Sequence, residues 1–281
     1  MEVLHRCCCG LDVQKQTVVA CLLRTDADGR RSKELRTFGT MTDDLLALAD
    51  WLRAAGCTQV AMESTGVYWQ PVYNLLEGHC AVLVVNAQHI KAVPGRKTDL
   101  KDAAWIADLL QHGLLRASFI PDRPQRELRD LTRTRTTLID ERTAAVNRVQ
   151  KVLEDANIKL AGVASNVMGV SGRALLAALL DGTTDPAILA EVAQGKLRKK
   201  RDELARALSG RFSDHHRLLL TTHLAHLDFL DEEIDQLSAA IAERVRPFEE
   251  ELNRLDTIPG VDRRTAEVLL AEVGPDIPRP R

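Results

Sequence analysis

Residues 3–13 read VLHRCCCGLDV and residues 17–24 read TVVACLLR, two apolar, partly β-branched runs separated by the polar turn Gln14-Lys15-Gln16. Such a pair predicts a β-hairpin. Residues 33–39 (KELRTFG) add a third strand candidate. Thr42 stands as an N-cap before the periodic run LLALADWLRAAG, which stops at Gly56. A short strand follows at 59–63 (QVAME), a helix over 68–77, a buried strand at 80–86 (CAVLVVN), and a helix from near Thr98 to about Gln111, closed by Gly113. The order βββαβαβα predicts an α/β fold with a mixed sheet.

Beyond Pro121 the pattern changes to helix. Leu131, Leu138, Ala145 and Val152 recur every seven residues, and so do Leu220, Leu227, Ile234, Ile241, Phe248 and Leu255. A seven-residue apolar period is the seam of a coiled coil or helical hairpin, and an ordinary buried bundle produces it as well. Pro247 is expected to kink or end the second helix. From 214 to 246 a straight helix reaches roughly 50 Å at ~1.5 Å per residue, which suits self-association or reaching along a partner. Residues 257–273 (TIPGVDRRTAEVLLAEV) form a turn and short helix, read either as half of a helix-hairpin-helix that offers backbone N–H groups to phosphate or as a plain helix-turn. The tail PDIPRPR cannot continue a helix.

Composition narrows the function classes. Hydrophobic residues make up 45% of the 281, enough for a sizeable core, and aromatics only 4%, which favours helix over a β-sandwich. Lys plus Arg number 38 against 40 Asp plus Glu, so the chain lacks the overall basic excess of a simple nucleic-acid binder. Contact with DNA or RNA has to come from local clusters, such as Arg126, Arg129, Arg133 and Arg135 or the run holding Lys199 and Lys200; solvated helix faces read the same from charge alone. The cysteines Cys7, Cys8, Cys9, Cys21, Cys57 and Cys80 form no Cys-x-x-Cys pair and read as small buried apolar residues of a reducing cytoplasm. No apolar run approaches the ~18 residues of a membrane span, so a cytoplasmic protein with no membrane partner is expected, nucleoid-associated if it acts on DNA.

The chemistry rests on carboxylates. Asp12 ends the first strand in GLDV, Glu63 ends a later strand in AMESTG, and Asp99 and Asp102 share a helix face in KTDLKDA. Acids at strand ends lie where loops gather. Converging carboxylates repel unless divalent cations sit between them, and hard oxygen donors select Mg²⁺ or Mn²⁺. An Asp in a first helical turn also simply complements the helix dipole. The sequence GRKT at 95–98 lacks the earlier glycine of a Walker motif. His215, His216, His223 and His226 lack a completing ligand for zinc. Tyr68 and Trp69 fit a core or cleft wall better than a base-stacking platform.

Longer stretches resolve the ambiguity. MESTGVYWQPVYNLLE (62–77), VVNAQHIKAVPGRKTDLKDAAWIADLLQHGLL (84–115), SFIPDRPQRELRDLTRTR (118–135) and IPGVDRRTAEVLLAEVG (258–274) closely resemble the DEDD transposases of bacterial insertion sequences of the one-ten type. The resemblance covers nearly the whole chain in order. It implies a RuvC-like domain with an RNase H-type core at 1–118, a helical coiled-coil linker at 119–256 and the start of a C-terminal transposase domain at 257–281. It places four catalytic, metal-binding acids on Asp12, Glu63, Asp99 and Asp102, holding two Mg²⁺ or Mn²⁺ ions for phosphodiester chemistry. The implied partners are DNA, as element ends and target, a structured guide RNA, and further copies of the chain through the helical arm. The family's nucleophilic serine lies in a segment with no counterpart here, so a truncated product defective in full transposition is expected. A nucleic-acid-binding product without catalysis and a junction-resolving nuclease are the alternatives.

Overall fold

The computed structural model describes residues 2–92 and 102–275. The chain divides into two compact units, Met1–Ile120 and Pro121–Arg281.

In the first unit the hairpin expected from the opening residues is present: β1 (Cys7–Val13) and β2 (Thr17–Thr25) pair antiparallel, with Asp12 opposite Val19. β3 (Arg31–Gly39) extends the pairing, followed by α1 (Thr42–Ala54), β4 (Gln59–Glu63), α2 (Trp69–Leu76), β5 (Ala81–Val85), α3 (Ala87–Ala92) and α4 (Asp102–Gln111). The sheet runs β3-β2-β1-β4-β5, with β4 parallel to both β1 and β5. It is the mixed sheet that the alternation of elements predicts. One local expectation changes: Thr42 is the first residue of α1 rather than its cap, Met41 holds the cap position without a side-chain bond, and Asp43 and Asp44 complement the dipole in the first turn.

Side-chain alternation along β1 sorts the core into two layers. Cys9, Leu11 and Val13 face the layer built with Leu48 and Leu52 of α1 and Val72 and Leu76 of α2. Cys8 faces the opposite layer, where α4 contributes Ala103, Trp105, Ile106, Ala107, Leu109 and Leu110. Gly10 lies on that second face. A Cβ built there would stand 2.3 Å from the Ala103 carbonyl oxygen and 2.3 Å from the Ala107 nitrogen. Only hydrogen fits between strand and helix at this point, and the alanines of α4 complete the close backbone approach.

The second unit is helical. α5 (Arg123–Asp155) is capped by Asp122, whose carboxylate accepts the Gln125 N–H at 3.2 Å. α6 (Leu160–Val163), α7 (Val170–Leu180), α8 (Pro186–Glu191), a 3-10 turn at Gly195–Lys200 and α9 (Arg201–Leu208) lead to α10 (Asp214–Val245). A 3-10 turn at Arg246–Phe248 interrupts the helix where Pro247 predicts, before α11 (Glu249–Asp256) and α12 (Arg263–Val273). Ala145, Val149 and Val152 of α5 share a core with Leu220, Leu224 and Leu227 of α10, while Leu128 near the start of α5 meets Ile241 and Val245 near the end of α10. The two long helices therefore lie antiparallel, and the seven-residue stripe of α10 is buried against α5 of the same chain. Arg142 pairs with Asp231 midway along them.

Gly10→Ala tests the strand–helix contact. The added methyl has backbone on the far side and no flexible neighbour to displace, so α4 must move. The expected loss is about 1–3 kcal/mol, read from the midpoint of denaturant unfolding. An unchanged midpoint would show that α4 is not seated as described.

Candidate metal-binding and nucleic-acid-binding sites

The register of β1 and β4 sets the first half of the acidic site. Cys9 lies beside Val60, Gly10 beside Ala61 and Leu11 beside Met62. Carrying the register one residue further places Asp12 beside Glu63. Alternation points both side chains to the face that α4 covers, at the carboxyl ends of two parallel strands, where open sheets gather their ligands. The chain after Glu63 turns away at once: the Thr65 N–H donates to the Glu63 carbonyl at 2.9 Å, and Gly66 takes a φ of 53°.

α4 supplies the third acid. Asp102 is its first residue, one before the Ala103 that lies against Gly10. Asp12 is half-buried, and its carboxyl is held above the usual range, first by burial. The Gln14 amide, donating to Oδ2 at 3.2 Å, opposes that shift, and the negative charge of Asp102 adds to it. The last effect puts Asp102 within electrostatic reach of Asp12. The register sets Asp12 beside Glu63, and Asp102 acts electrostatically on Asp12, yet among the described residues no group of three or more acids, histidines or cysteines lies close enough to hold a metal ion; Asp99 lies outside the described residues. Gly10 was not singled out from the sequence, although a lone glycine within an apolar strand signals a close backbone approach.

The arginines of α5 have a different setting. Arg129 donates from Nε to the Ala271 carbonyl at 2.9 Å and also bonds the Glu272 carbonyl, satisfying the end of α12. Arg133 grips the Glu272 carboxylate with two bonds of 2.7 and 2.8 Å. Arg135 is 3% exposed in its side chain and pairs with Glu267, itself 8% exposed, at 2.8 Å. Arg126 donates to the Pro121 carbonyl at 2.8 Å. Three of the four arginines expected on phosphate, Arg129, Arg133 and Arg135, thus clamp α12 to α5, and the guanidinium of Arg135 is enclosed within the unit. Lys199 and Lys200 are exposed, with Glu203 4.0 Å from Lys200.

The remaining candidates are quieter. All six cysteines are free thiols. Burial pushes the Cys8 thiol up to about 12, which leaves it protonated and inert. Trp69 packs on the core of the first unit and meets Tyr73 edge to face at 5.7 Å. His216 sits between Ser213 and Asp155, at 2.8 and 2.9 Å. Among the described residues no helix is long and apolar enough to cross a membrane.

An α/β domain with this mixed sheet and acids at neighbouring strand ends is of the RNase H/RuvC-like class. The profile of the IS110-type DEDD transposases, described as transposase, matches residues 9–158, more than half of the chain. The protein belongs to that family. Among solved structures, the chain resembles Thermus thermophilus RuvC (12% identity, TM-score 0.30, covering 40% of this chain and 99% of that one). It likewise resembles T. thermophilus RuvC in complex with a Holliday junction substrate (11% identity, TM-score 0.29, the same coverages). No curated protein matches. The family assignment rests on the profile, and the fold on the sheet itself.

Two substitutions probe these sites. A carboxyl whose folded pKa is raised stabilises the fold below its unfolded pKa and loses that contribution as pH rises through the folded value. Asp12→Asn should therefore raise the melting temperature in metal-free buffer at pH 7, and the gain should vanish at acid pH. A lower melting temperature at pH 7 would show that Asp12 is not crowded. Arg135→Ala should cost on the order of 3 kcal/mol by leaving Glu267 enclosed with less compensation, whereas replacing both by Met should cost far less. Equal losses would show that packing rather than charge matters there.

Proposed function

We propose that the protein is a DNA transposase whose first unit carries out divalent-metal-dependent phosphodiester chemistry. Asp12, Glu63, Asp99 and Asp102 are the proposed ligands of two Mg²⁺ or Mn²⁺ ions. The observation that carries this reading is the strand register that sets Asp12 beside Glu63 at the ends of β1 and β4, with Asp102 at the start of α4 within electrostatic reach of Asp12. Their donors are hard oxygens, and a bound cation would relieve both the burial and the Asp102 charge that raise the Asp12 carboxyl, so the chemistry of the donors fits the group.

Cations bound there would supply an activated oxygen nucleophile and charge stabilisation at the leaving oxygen. The residues of the chain do the positioning. Adjacent strands fix Asp12 and Glu63 side by side, Gln14 orients one oxygen of Asp12, and the seat of α4 on Gly10 sets Asp102. The proposed substrates are the DNA of element ends and target, with a structured guide RNA as a further partner. Exposed Lys199 and Lys200 are available to phosphate. Self-association through α10 would use its outward side, where Leu218 and Phe229 are exposed, because the heptad side is filled by α5.

The test is thermal. Mg²⁺ or Mn²⁺ in hundredfold excess over its dissociation constant should stabilise the protein by about 2.7 kcal/mol per site and raise the melting temperature by several degrees. Asp12→Asn should abolish most of that rise. Equal metal stabilisation of the two proteins would overturn the assignment.

A further inference from the structure

At the end of the sheet opposite the acids, where β1 begins, β2 ends and β3 begins, lies a cavity of about 420 Å³ lined by Arg6, Arg24, Arg30 and Arg31 together with Asp26 and Ser32. We propose that this cavity is a phosphate-binding site that holds the backbone of the nucleic acid on which the protein acts. The proposal rests on the reading of the acidic site as a phosphodiester-processing centre and adds to it a second anchoring point on the same domain.

The arginines are gathered by pairing of the strands, not by a flexible loop alone. Arg24 lies opposite Cys7 on one side and Ser32 on the other, and Arg31 lies opposite Thr25. The Thr25 N–H donates to the Arg6 carbonyl at 2.7 Å, fixing Arg6 beside the same strand end. Arg30 closes the turn from β2 to β3, its N–H donating to the Asp26 carboxylate at 2.7 Å. Four arginines thus line one cavity with a single carboxylate, Arg24 from the sheet face it shares with Ser32 and Arg31 from the opposite face, in a chain whose net charge is −2.

Among the described residues, of the four it is Arg31 that is committed elsewhere, its guanidinium held on α4 by Asp108 at 3.3 Å and His112 Nε2 at 2.9 Å. Among the described residues no carboxylate forms an ion pair with Arg6, Arg24 or Arg30. Arginines without counter-ions around one cavity leave guanidinium donors for an oxyanion with several acceptor oxygens. Guanidinium forks match phosphate oxygens in pairs. Carboxylate ligands would satisfy the charge less fully than a phosphodiester chain that presents one phosphate after another. From Cys7 to Asp12 the strand spans roughly 17 Å at ~3.3 Å per residue, close to five steps of duplex at about 3.4 Å each. A nucleic acid engaged at the carboxylates is long enough to reach the arginines as well.

The experiment uses the full chain and fluorescence anisotropy between 50 and 200 mM salt, with a 20-base-pair DNA duplex and a single-stranded RNA of equal length as separate probes. Arg6→Gln with Arg24→Gln should weaken binding about tenfold at 0.1 M salt and reduce the log–log salt slope by about 0.9 per lost contact on duplex or about 0.7 on a single strand. The probe with the larger loss identifies the polymer held. Arg53→Gln, whose partner is Asp50 outside the cavity, is the control and should bind like wild type. Should the double variant melt early, the single variant Arg30→Gln, on the exposed turn, replaces it with half the slope change. Affinity and slope equal to those of Arg53→Gln on both probes would overturn the proposal. The metal-induced stabilisation of the wild-type chain, measured without nucleic acid, separates the two readings: its absence fails the acidic site, whereas unchanged affinity and slope in the arginine variants fail the arginine site.

Discussion

The close approach of α4 to β1 at Gly10 is the contact on which the acidic site depends. Asp12 and Glu63 are brought side by side by strand pairing alone, but Asp102 belongs to a helix that must be laid across the sheet. A side chain at position 10 would lift that helix off the strand, since the nearest atoms of α4 are backbone and cannot rotate away. The alanines Ala103 and Ala107 at the contact and the large apolar residues on either side of it, Trp105, Ile106, Leu109 and Leu110, then fix how far along the strand the helix sits. Core packing and site geometry are the same arrangement viewed from two ends of α4.

Charge is used in two opposite ways in the two units. In the first, carboxylates lie at one end of the sheet and arginines line a cavity at the other, and we propose a ligand of the opposite sign for each. In the second, unlike charges are matched. Arg129, Arg133 and Arg135 meet Glu267, Glu272 and the carbonyls at the end of α12, and Arg263 reaches both Glu249 and Glu267. Matched pairs hold a short helix in place at little cost to solubility.

Much of this was legible in the sequence. The hairpin, the alternation of strands and helices, the strand-end positions of Asp12 and Glu63 and the break at Pro247 follow from local patterns of apolarity and turn residues. What escaped were properties of partners rather than of segments. The arginines of α5 look alike on paper, yet Arg135 is enclosed and paired while its neighbours grip the end of a helix more than a hundred residues later. The seven-residue stripe of α10 announces a seam but not whose helix fills it, and α5 fills it. Thr42 had the chemistry of a cap, but the helix began on it and not after it. The arginine-lined cavity draws on residues 6 to 31, scattered over three strand ends, and only their pairing brings them together.

The most direct measurement of the central claim is metal-directed backbone cleavage. With Fe²⁺ in place of Mg²⁺ and ascorbate and peroxide added, hydroxyl radicals formed at the ion cut the chain nearest to it. The account predicts cuts clustered at three separated places, around Asp12, around Glu63 and at the start of α4 near Asp102, all suppressed by excess Mg²⁺ and by Asp12→Asn. Cuts confined to one of these segments, or falling elsewhere in the chain, would contradict the convergence of the acids on a shared ion.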